Sequence, residues 1–418
     1  MQSIVSWITQ GPNPIFSKSG TIPCLTGRNI SSGRVNYNNP DYVDDSEYNN
    51  LKKYQIRRGD TLITLKGKGS IGKIGYVTSN RPAIFSRNIG VIRPSSIDSA
   101  YLNAFILSKF GQKMILRGET GGTGQTTLTT SHLRLLDVPV FHALEYPIHQ
   151  IIDKSEQMLL DSQKIFSDTI DYFTDNIMSE IDDNMSANSE ISISESFGKS
   201  GRLDAEYYQP KYEAIVQKLN TRETVLSLCK LHDKIFTPDE KKTYQYIELA
   251  NVGQSGDISD VDTQYGVDLP TRARRIVQTG HVIVSSVEGS LQSCALITDE
   301  YDGALCSTGF YVFDSDCINS ETLLVIFKSE PIQALMKQRC SGTILTAISK
   351  DELLSMPLPM IDENVQKEIA NKVQESFALR KQAKQLLEYA KHAVEMAIEQ
   401  GEDAALKWLD AFTHEQEA

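Results

Sequence analysis

Residues 59–94 read GDTLITLKGKGSIGKIGYVTSNRPAIFSRNIGVIRP, and residues 280–314 read GHVIVSSVEGSLQSCALITDEYDGALCSTGFYVFD. At a shift of about 221 residues, Gly59 aligns with Gly280 and Ser86 aligns with Ser307. Solenoid repeats have periods of about 20 to 50 residues, so a repeat of this length is not a solenoid. The sequence therefore predicts two copies of a globular module, each followed by a helix.

The flanks of the two stretches continue the alignment with shifts between 218 and 222 residues. The aligned pairs are Asn29-Ile30 with Asn251-Val252, Gly124 with Gly342, Leu135-Leu136 with Leu353-Leu354, and Val138-Pro139 with Met356-Pro357. The repeat therefore extends over most of each half of the chain.

Length and composition limit the class of protein. A chain of 418 residues has room for two to four domains of about 100 to 200 residues each. It contains no apolar run of about 18 residues that could span a membrane, and its first residues lack the features of a secretory signal. The six cysteines are scattered without a CxxC pair, which argues against a zinc site and a disulfide framework. We therefore expect a cytoplasmic protein with no metal site and no membrane partner.

The charge is distributed unevenly along the chain. The formal net charge of −12 divides into +9 over residues 1–140, −9 over 141–200, −7 over 201–360 and −5 over 361–418. A basic first module is the electrostatic pattern of a nucleic-acid-binding surface. The acidic segments fit protein contacts or solubility better than DNA contacts.

Residue patterns predict the main elements of each half. The alternation of glycines with strand-forming residues over Gly59–Val77 predicts a hairpin. Apolar residues at helical spacing over 99–117 predict one helix packed on the sheet, and LRLLDVPVF at 133–141 predicts a short strand.

Two longer amphipathic patterns cover about residues 145–178 and 362–399, and Gly401 is placed to end the second helix. We predict that these helices pair antiparallel as a spacer of fixed length; the alternative is that each packs only on its own module. The acidic, serine-rich residues 179–199 predict a mobile linker.

The predicted fold class is mixed α/β (α+β): two pseudo-symmetric globular domains separated by two long antiparallel coiled-coil helices. The predicted boundaries are 1–141 for the first recognition domain, 142–178 for the first spacer helix, 179–200 for the linker, 201–360 for the second recognition domain, and 361–418 for the second spacer helix and C-terminal tail.

Gly67–Lys73 fits the GxxxxGK pattern of a phosphate-binding loop. Such a loop requires Ser or Thr next, and a helix whose first amides face the phosphates. Here Ile74 follows, the next residues have a strand pattern, and the second copy has no lysine over 289–294. No other residues group a nucleophile, a base and an orienting side chain. We therefore predict no catalytic residues, and keep nucleotide hydrolysis as a minor hypothesis that ATP turnover abolished by Lys73→Ala would support.

The residues that favour recognition of DNA are Lys and Arg on loops, interleaved with Gly, Ser, Thr, Asn and Gln. Lys and Arg neutralise phosphates, while Arg, Asn, Gln, Ser and Thr can contact base edges in the major groove. The candidates in the first module are Lys66, Lys68, Lys73, Arg81, Arg87, Asn88, Thr123, Gln125, Thr126 and Thr127. Those in the second are Arg272, Arg274, Arg275, Ser286, the loop around position 291 (Ser290, Leu291 and Gln292), Ser307, Thr308 and Thr343. The alternative is an ordinary lysine-rich surface.

Several motifs in this order resemble the specificity subunit of a type I restriction–modification system. The first half contributes GDTLITLKGKGSIGKIG, FSRNIGVIRP and GTGQTTLTTSHLRLLDVPV. The second contributes RLDAEYYQPKY, YIELANVGQSGDI, SCALITDEYDGALCSTGFYVF and SGTILTAISKDELLSMPLP, and KQAKQLLEYAKHAVEMAIE is similar to the family's distal helix. The resemblance covers nearly the whole chain.

The resemblance implies a fold, a role and partners. Each of two recognition domains would read one half of a bipartite double-stranded DNA site, and the helix pair would set the gap between the halves. The helices would also hold two methylation subunits, which carry S-adenosylmethionine and methylate adenine, so that this chain needs no cofactor of its own. Restriction or translocase subunits can join such a complex.

The sequence departs from the family pattern in three ways. The first copy lacks a counterpart of RLDAEYYQPKY, from which we expect a shortened N-terminus; the linker is long and acidic; and the second module is acidic. Two alternatives follow: an interaction scaffold that does not bind DNA, and the specificity subunit of another phage-defence methylation system.

Overall fold

The computed structural model describes residues 1–37, 39–67, 70–121, 126–177, 191–194, 196–259, 261–342 and 346–417. They form two compact units. The first contains Met1–Leu160 and Leu379–Ala418, and the second contains Asp161–Ala378.

The first unit contains a module of eleven described strands and four short helices. The strands are β1 Val5–Gln10, β2 Ile22–Leu25, β3 Ile30–Ser31, β4 Gly33–Val35, β5 Asp41–Val43, β6 Thr61–Thr64, β7 Ile74–Tyr76, β8 Ile84–Phe85, β9 Ile89–Pro94, β10 Glu119–Thr120 and β11 Thr127–Leu128. The helices are α1 Asp45–Asn50, α2 Ser99–Leu107, α3 Lys109–Leu116 and α4 Thr130–Arg134, and the long helix α5, His142–Ile177, follows them along the chain.

Three sheets organise this module. They have the strand orders β1-β9-β6-β7-β4-β3, β5-β2-β8 and β10-β11. Every residue of β6 is buried, and α2 is buried over Ala100–Ile106, which explains why α2 is almost continuously apolar and why β6 has no charged residue. Gly59 begins the hairpin with φ +88°, a backbone conformation that favours glycine.

The second unit contains a module of ten described strands and six short helices. The strands are β12 Lys230–Leu231, β13 Thr243–Ile247, β14 Asp262–Tyr265, β15 Ala273–Ile276, β16 Val282–Ser285, β17 Cys294–Leu296, β18 Leu305–Ser307, β19 Phe310–Asp314, β20 Cys340–Ser341 and β21 Ala347–Ile348. The short helices are α6 Phe197–Ser200, α7 Pro210–Leu219, α8 Val225–Leu228, α9 Ser320–Lys328, α10 Glu330–Arg339 and α11 Lys350–Leu354; α12 Glu363–Gln400 and α13 Glu402–Glu417 follow.

The two modules share the pairing of their central strands, although β3 and β4 extend the main sheet of the first module only, among the described residues. β6 pairs antiparallel with β7 and β9, as β16 does with β17 and β19. β2 pairs antiparallel with β5 and parallel with β8, as β13 does with β14 and β18. The hairpins β10-β11 and β20-β21 correspond in the same way. The duplication predicted from the sequence is therefore a duplication of fold.

The correspondence extends to single residues. Leu62 pairs with Val91 in the first module and Ile283 with Val312 in the second, so both partners move by 221 positions. Gly280 has φ +87°, close to the angle of Gly59. The register of β6 with β9 and of β16 with β19 therefore follows the alignment read from the sequence, whereas the partners on β7 and β17 are one position closer together.

The long helices α5 and α12 run antiparallel within each unit. In the first unit, the Ser155 hydroxyl donates to the carbonyl oxygen of Ala383 at 2.6 Å. In the second, Ser162 and Ser376 join their hydroxyls at 2.9 Å, and Tyr172 donates to Glu368 at 2.7 Å. Residues further along α5 thus contact residues earlier along α12. The two helices therefore pair antiparallel, as predicted from the sequence.

The predicted single helix over 99–117 is two helices. Ser108 has extended dihedral angles (φ −62°, ψ 160°). Its hydroxyl accepts a hydrogen bond from the Gly111 amide in the first turn of α3 and so caps that helix. A Cβ on Gly111 would lie 2.2 Å from the carbonyl oxygen of Phe105, so α3 turns back tightly on the end of α2. The second copy makes the same break at Ser329, where Pro331 lies in the first turn of α10.

The predicted strand at 133–141 is wrong. Thr129 accepts a hydrogen bond from the His132 amide and caps the helix α4, and residues 135–141 form no strand. Leu133 and Leu136 are buried three positions apart, which is a helical rather than a strand spacing. Gly401 follows α12 with φ +94°, as expected of a helix-ending glycine.

Residues 179–190 of the predicted linker lie outside the described residues. Residues 191–194 are described as coil and turn, and Phe197–Ser200 form a single helical turn. Among the described residues, no helix combines the length and the apolar character needed to cross a membrane.

Candidate nucleic-acid interface

Three segments of the first module meet at one end of its main sheet. The Leu65 amide donates to the carbonyl oxygen of Asn88 at 2.8 Å, and the Leu128 amide donates to that of Leu65 at 2.9 Å. Lys66 and Thr127 form an isolated β-bridge. These bonds bring Lys66, Arg87, Asn88, Thr126 and Thr127 into one neighbourhood, which we name the first loop cluster.

Lys66 and Arg87 provide the positive charge of the first loop cluster. Arg87 is exposed and Lys66 is half-buried, and within the described chain neither has a carboxylate partner. Unpaired cations on a surface are available to phosphates. Lys73 belongs to the same hairpin because its carbonyl oxygen accepts from the Thr64 amide at 2.9 Å.

Among the described candidates of the first module, Arg81 contacts a residue outside this cluster. Arg81 is exposed, and its guanidinium carbon lies 5.0 Å from the ring centroid of Tyr37. Lys68, Thr123 and Gln125 lie outside the described residues.

The second module forms an equivalent second loop cluster. The Ser286 amide donates to the carbonyl oxygen of Gly309, and the Ile348 amide donates to that of Ser286, both at 2.8 Å. Val287 and Ala347 form the bridge that corresponds to Lys66 and Thr127. The cluster also includes Thr308 and Arg272, because the Thr308 amide donates to the carbonyl oxygen of Arg272 at 2.8 Å.

Four candidate positions of the second module are turned inward. Ser307 is 4% exposed, because it lies in the buried strand β18, and its hydroxyl accepts from the Gly309 amide at 3.2 Å. Position 291 is a leucine that is 5% exposed and packs in the hydrophobic core. These side chains cannot reach a base edge without leaving the core.

The side chains of the other two candidates donate hydrogen bonds to backbone carbonyl oxygens of their own module. The Ser286 hydroxyl donates to the carbonyl oxygen of Gly309 at 2.9 Å, and the Arg275 guanidinium donates to that of Phe310. Arg274 is half-buried and donates to Thr271 at 3.1 Å. The exposed candidates are Arg272, Gln292 and Thr308, while Ser290 is half-buried and Thr343 lies outside the described residues.

The two loop clusters differ in charge at matching positions. Lys66 corresponds to Val287 and Arg87 to Thr308 at the shift of 221 residues, and the strand pairing places Ser293 at the position of Lys73. The second cluster therefore has the same backbone frame without the cations of the first. Such a pair of surfaces presents different chemistry to two different ligands, or to two different sequences of one ligand.

A buried ion pair supports the hairpin of the first module. Arg93 donates from Nε and Nη2 to the two carboxylate oxygens of Asp60, both at 2.7 Å. Asp60, which is 1% exposed, also accepts from the Arg57 amide at 2.8 Å. The guanidinium lies under Trp7, 4.9 Å from the ring centroid.

In the second module, a histidine stands at the position of the aspartate and an aspartate stands at the position of the arginine. His281 takes the place of Asp60, and its Nδ1 accepts from the Gln278 amide at 3.2 Å, while Asp314 takes the place of Arg93. Burial lowers the pKa of His281, and the neighbouring His232 lowers it further, against a smaller opposite effect of Asp314.

His232, His281 and Asp314 have the composition of a metal site among the described residues, with donor atoms within 4.8 Å of one another. The two rings, however, stack at 4.4 Å between centroids and 22° between planes. An imidazole binds a metal in the plane of its ring, so two stacked rings do not direct their lone pairs at one ion. In the neutral ring, acceptance at Nδ1 of His281 also leaves Nε2 protonated.

The GxxxxGK stretch has no helix after it. Lys73 is followed by the strand Ile74–Tyr76, and its backbone bonds to Thr64 and Ser70 within the hairpin. The described part of this stretch thus lacks the helix N-terminus that a phosphate-binding loop uses.

Two positioning residues escaped the sequence interpretation. The side-chain amide Nε2 of Gln10 donates to the carbonyl oxygen of Arg87 at 2.6 Å and holds that loop. Lys328 is 3% exposed, and its ammonium donates to the carbonyl oxygens of Gly253, Gln254 and Gln292 at 3.1, 2.7 and 2.7 Å. The sequence contained a signal for Lys328: it is a charged residue at the end of the apolar segment SETLLVIFK, and it aligns with the apolar Leu107 of the first module.

No protein-family model matches this sequence, and no curated protein matches it. The chain is similar to three solved structures over most of its length. The type I restriction–modification system S subunit from M. genitalium matches at 12% identity and a TM-score of 0.36, covering 94% of this chain and 92% of its own. The HsdS subunit from Thermoanaerobacter tengcongensis matches at 12% identity and 0.30, covering 96% and 95%. A chain from a structure of type I R-M system assembly and conformational transition matches at 14% identity and 0.28, covering 93% and 96%.

Proposed function

We propose that this chain is the DNA sequence-specificity subunit of a type I restriction–modification complex and is itself non-catalytic. Each module reads one half of a bipartite double-stranded DNA site through its loop cluster. The observation that carries the proposal is the duplication: one backbone frame occurs twice, with different side chains at its matching loops. A protein that reads two unlike half-sites needs this combination.

The long helices α5 and α12 set the gap between the half-sites and dock the partner subunits. Their paired faces are apolar and hydroxyl-bearing, as at Phe166 and Phe377, whose rings stack at 6.4 Å. Their segments are acidic, with net charges of −9 over 141–200 and −5 over 361–418, which disfavours DNA and suits protein contacts. Two methylation subunits bind there and supply S-adenosylmethionine, and restriction or translocase subunits join them.

The proposal is tested by selecting duplexes from a random pool with the chain bound to its methylation subunit. We expect enrichment of two short motifs separated by a fixed unspecified gap. Deleting about one heptad from each of α5 and α12 should shorten that gap by the corresponding length. Enrichment of one continuous motif, or a gap unchanged by the deletion, would contradict the spacer role.

A second candidate is an interaction scaffold that does not bind DNA. The observation that favours it is the absence of cations at two matching positions of the second loop cluster, where Val287 and Thr308 replace Lys66 and Arg87, so that Arg272 is the cation named for that cluster among the described residues. Stable complexes with methylation subunits that enrich no duplex at any salt concentration would support this candidate over DNA recognition.

A further inference from the structure

Each module is joined to a long helix at the residue that caps its buried central helix. Asp98 caps α2 by accepting hydrogen bonds from the amides of Ala100 and Tyr101, both at 2.9 Å. Asn319 caps α9 by accepting from the Thr322 amide at 2.8 Å. Because α2 and α9 are buried along most of their length, a bond to the cap residue holds the core of the module.

The long helices make the same bond to both caps. Glu145 Oε2 of α5 accepts from the backbone amide of Asp98 at 2.6 Å, and Gln366 Oε1 of α12 accepts from that of Asn319 at 2.8 Å. Asp98 and Asn319 are 221 positions apart, and so are Glu145 and Gln366. The joint between module and helix is therefore part of the repeat, although its side chains have changed.

The joint of the first copy is charged. His149 Nδ1 lies 2.8 Å from Asp98 Oδ2, and His142 Nδ1 lies 2.6 Å from Glu145 Oε1. His149 Nε2 lies 3.3 Å from Asp153, another residue of α5. The carboxylates of this joint thus lie beside imidazoles supplied by the long helix itself.

The joint of the second copy is neutral. The Asn319 side-chain amide donates to the carbonyl oxygen of Gln366 at 3.1 Å. The side-chain Nε2 of Gln366 donates to the carbonyl oxygens of Cys317 and Ile361, both at 3.0 Å. Since the neutral pair forms the same bond as the charged pair, the joint requires an acceptor oxygen at this helix position rather than a charge.

We propose that Glu145 with Asp98, and Gln366 with Asn319, are the positioning residues that fix the direction of each module on its own helix. This inference rests on the proposed function: a spacer can define a gap only if the modules do not turn on its helices. Removing the acceptor at 145 or 366 leaves a cap amide without its bond to the long helix and widens the range of directions that the module can adopt on that helix. The gap between half-sites then ceases to be selected, although each half-site is still read.

The first test measures the joint without DNA. Spin labels are attached through Arg117→Cys and Lys154→Cys in the full chain carrying Cys317→Ser, because both sites are exposed and Cys317 is the exposed cysteine of the described chain. We expect a narrow distance distribution for this background, a broad one after Glu145→Ala, and a narrow one after Glu145→Gln, which restores the acceptor. Equal widths for all three would overturn the proposal.

The second test measures the consequence on DNA. Duplexes with the selected half-sites at gaps one base pair shorter and longer compete for the complex with its methylation subunit. Loss of one hydrogen bond to a charged group should lower the preference for the best gap about tenfold in Glu145→Ala. Glu145→Gln should keep the wild-type preference, and Gln366→Ala should lose it.

The outcomes separate the two claims. Broadened distances with unchanged gap preference would overturn the positioning role in DNA recognition. Broadened distances in a chain that enriches no duplex would support the joint and reject the proposed function. Thermal melting of each variant shows whether the module remains folded.

Discussion

Replacing Arg93 by methionine tests the buried ion pair of the first module. The change removes two hydrogen bonds of 2.7 Å to Asp60 and one of 3.1 Å to the carbonyl oxygen of Gln55. Among the described residues, the carboxylate of Asp60, 1% exposed, then retains the Arg57 amide at 2.8 Å as its donor. Its carboxylate becomes a buried charge without a counter-ion, while methionine keeps most of the packing beneath Trp7.

Breaking a buried pair by removing one partner costs about 3 to 5 kcal/mol. With a urea dependence of about 3 kcal/mol per molar, the unfolding midpoint of the first unit should fall by about 1 to 2 M. Asp60→Asn combined with Arg93→Met should be less destabilised than Arg93→Met alone, because no charge then remains unpaired.

The assay is urea denaturation followed by the fluorescence of Trp7, which lies over the guanidinium. The chain has two tryptophans, so Trp408→Phe makes Trp7 the single probe. Arg87→Met, a change of an exposed arginine in the same module, is the matched control and should shift stability by less than about 0.5 kcal/mol. If Arg93→Met and Arg87→Met unfold at the same urea concentration, the ion pair does not stabilise the hairpin.

Three further predictions concern DNA, pH and a buried lysine. Lys66→Ala and Arg87→Ala should each reduce the slope of log K against log salt by about 1 in duplex titrations, if they contact phosphate; an unchanged slope would remove them from the interface. Because burial holds the pKa of His281 below its usual value of about 6.5, the unfolded chain takes up the proton first. The stability of the second unit should therefore be present above about pH 6.5 and lost as pH falls through the folded pKa, and His281→Asn should flatten this dependence in melting scans. Lys328→Met should leave three carbonyl oxygens without their ammonium donor and cost about 1 to 3 kcal/mol, with faster hydrogen exchange around Gly253; unchanged exchange would show that other bonds hold these loops.

The duplication could be predicted from the sequence because it rests on local requirements. Gly59 and Gly280 both adopt positive φ at the start of a hairpin, and the apolar residues of β6 and β16 are buried on both faces. Such positions tolerate few residue types, so they remain visible after the two copies have diverged.

The sequence predictions that were wrong concern features that depend on tertiary contacts. The break at Ser108 follows from the close approach of Gly111 to the backbone of Phe105, which periodicity alone does not contain. Arg275 has the composition of a DNA contact but donates to Phe310 in its own module. Ser307 lies on the buried strand β18. The residue type predicts which groups a candidate side chain can bind. The direction in which that side chain points depends on its place in the folded sheet, which the sequence alone did not reveal.

The joint could not be predicted, because Asp98 and Glu145 are separated by 47 positions and neither residue is unusual by itself. Asp98 and Glu145 align with Asn319 and Gln366. This alignment points to a joint only when the structure shows that both pairs form the same hydrogen bond.

The most direct test of the central claim is methylome sequencing of cells that express the neighbouring methylation subunit with and without this chain. The account predicts a bipartite adenine-methylated motif, with two unlike halves and a fixed gap, that is present only with the chain. An assembled complex that produces no such motif, or a motif that is the same without the chain, would contradict the claim that the two modules read the two halves of one DNA site.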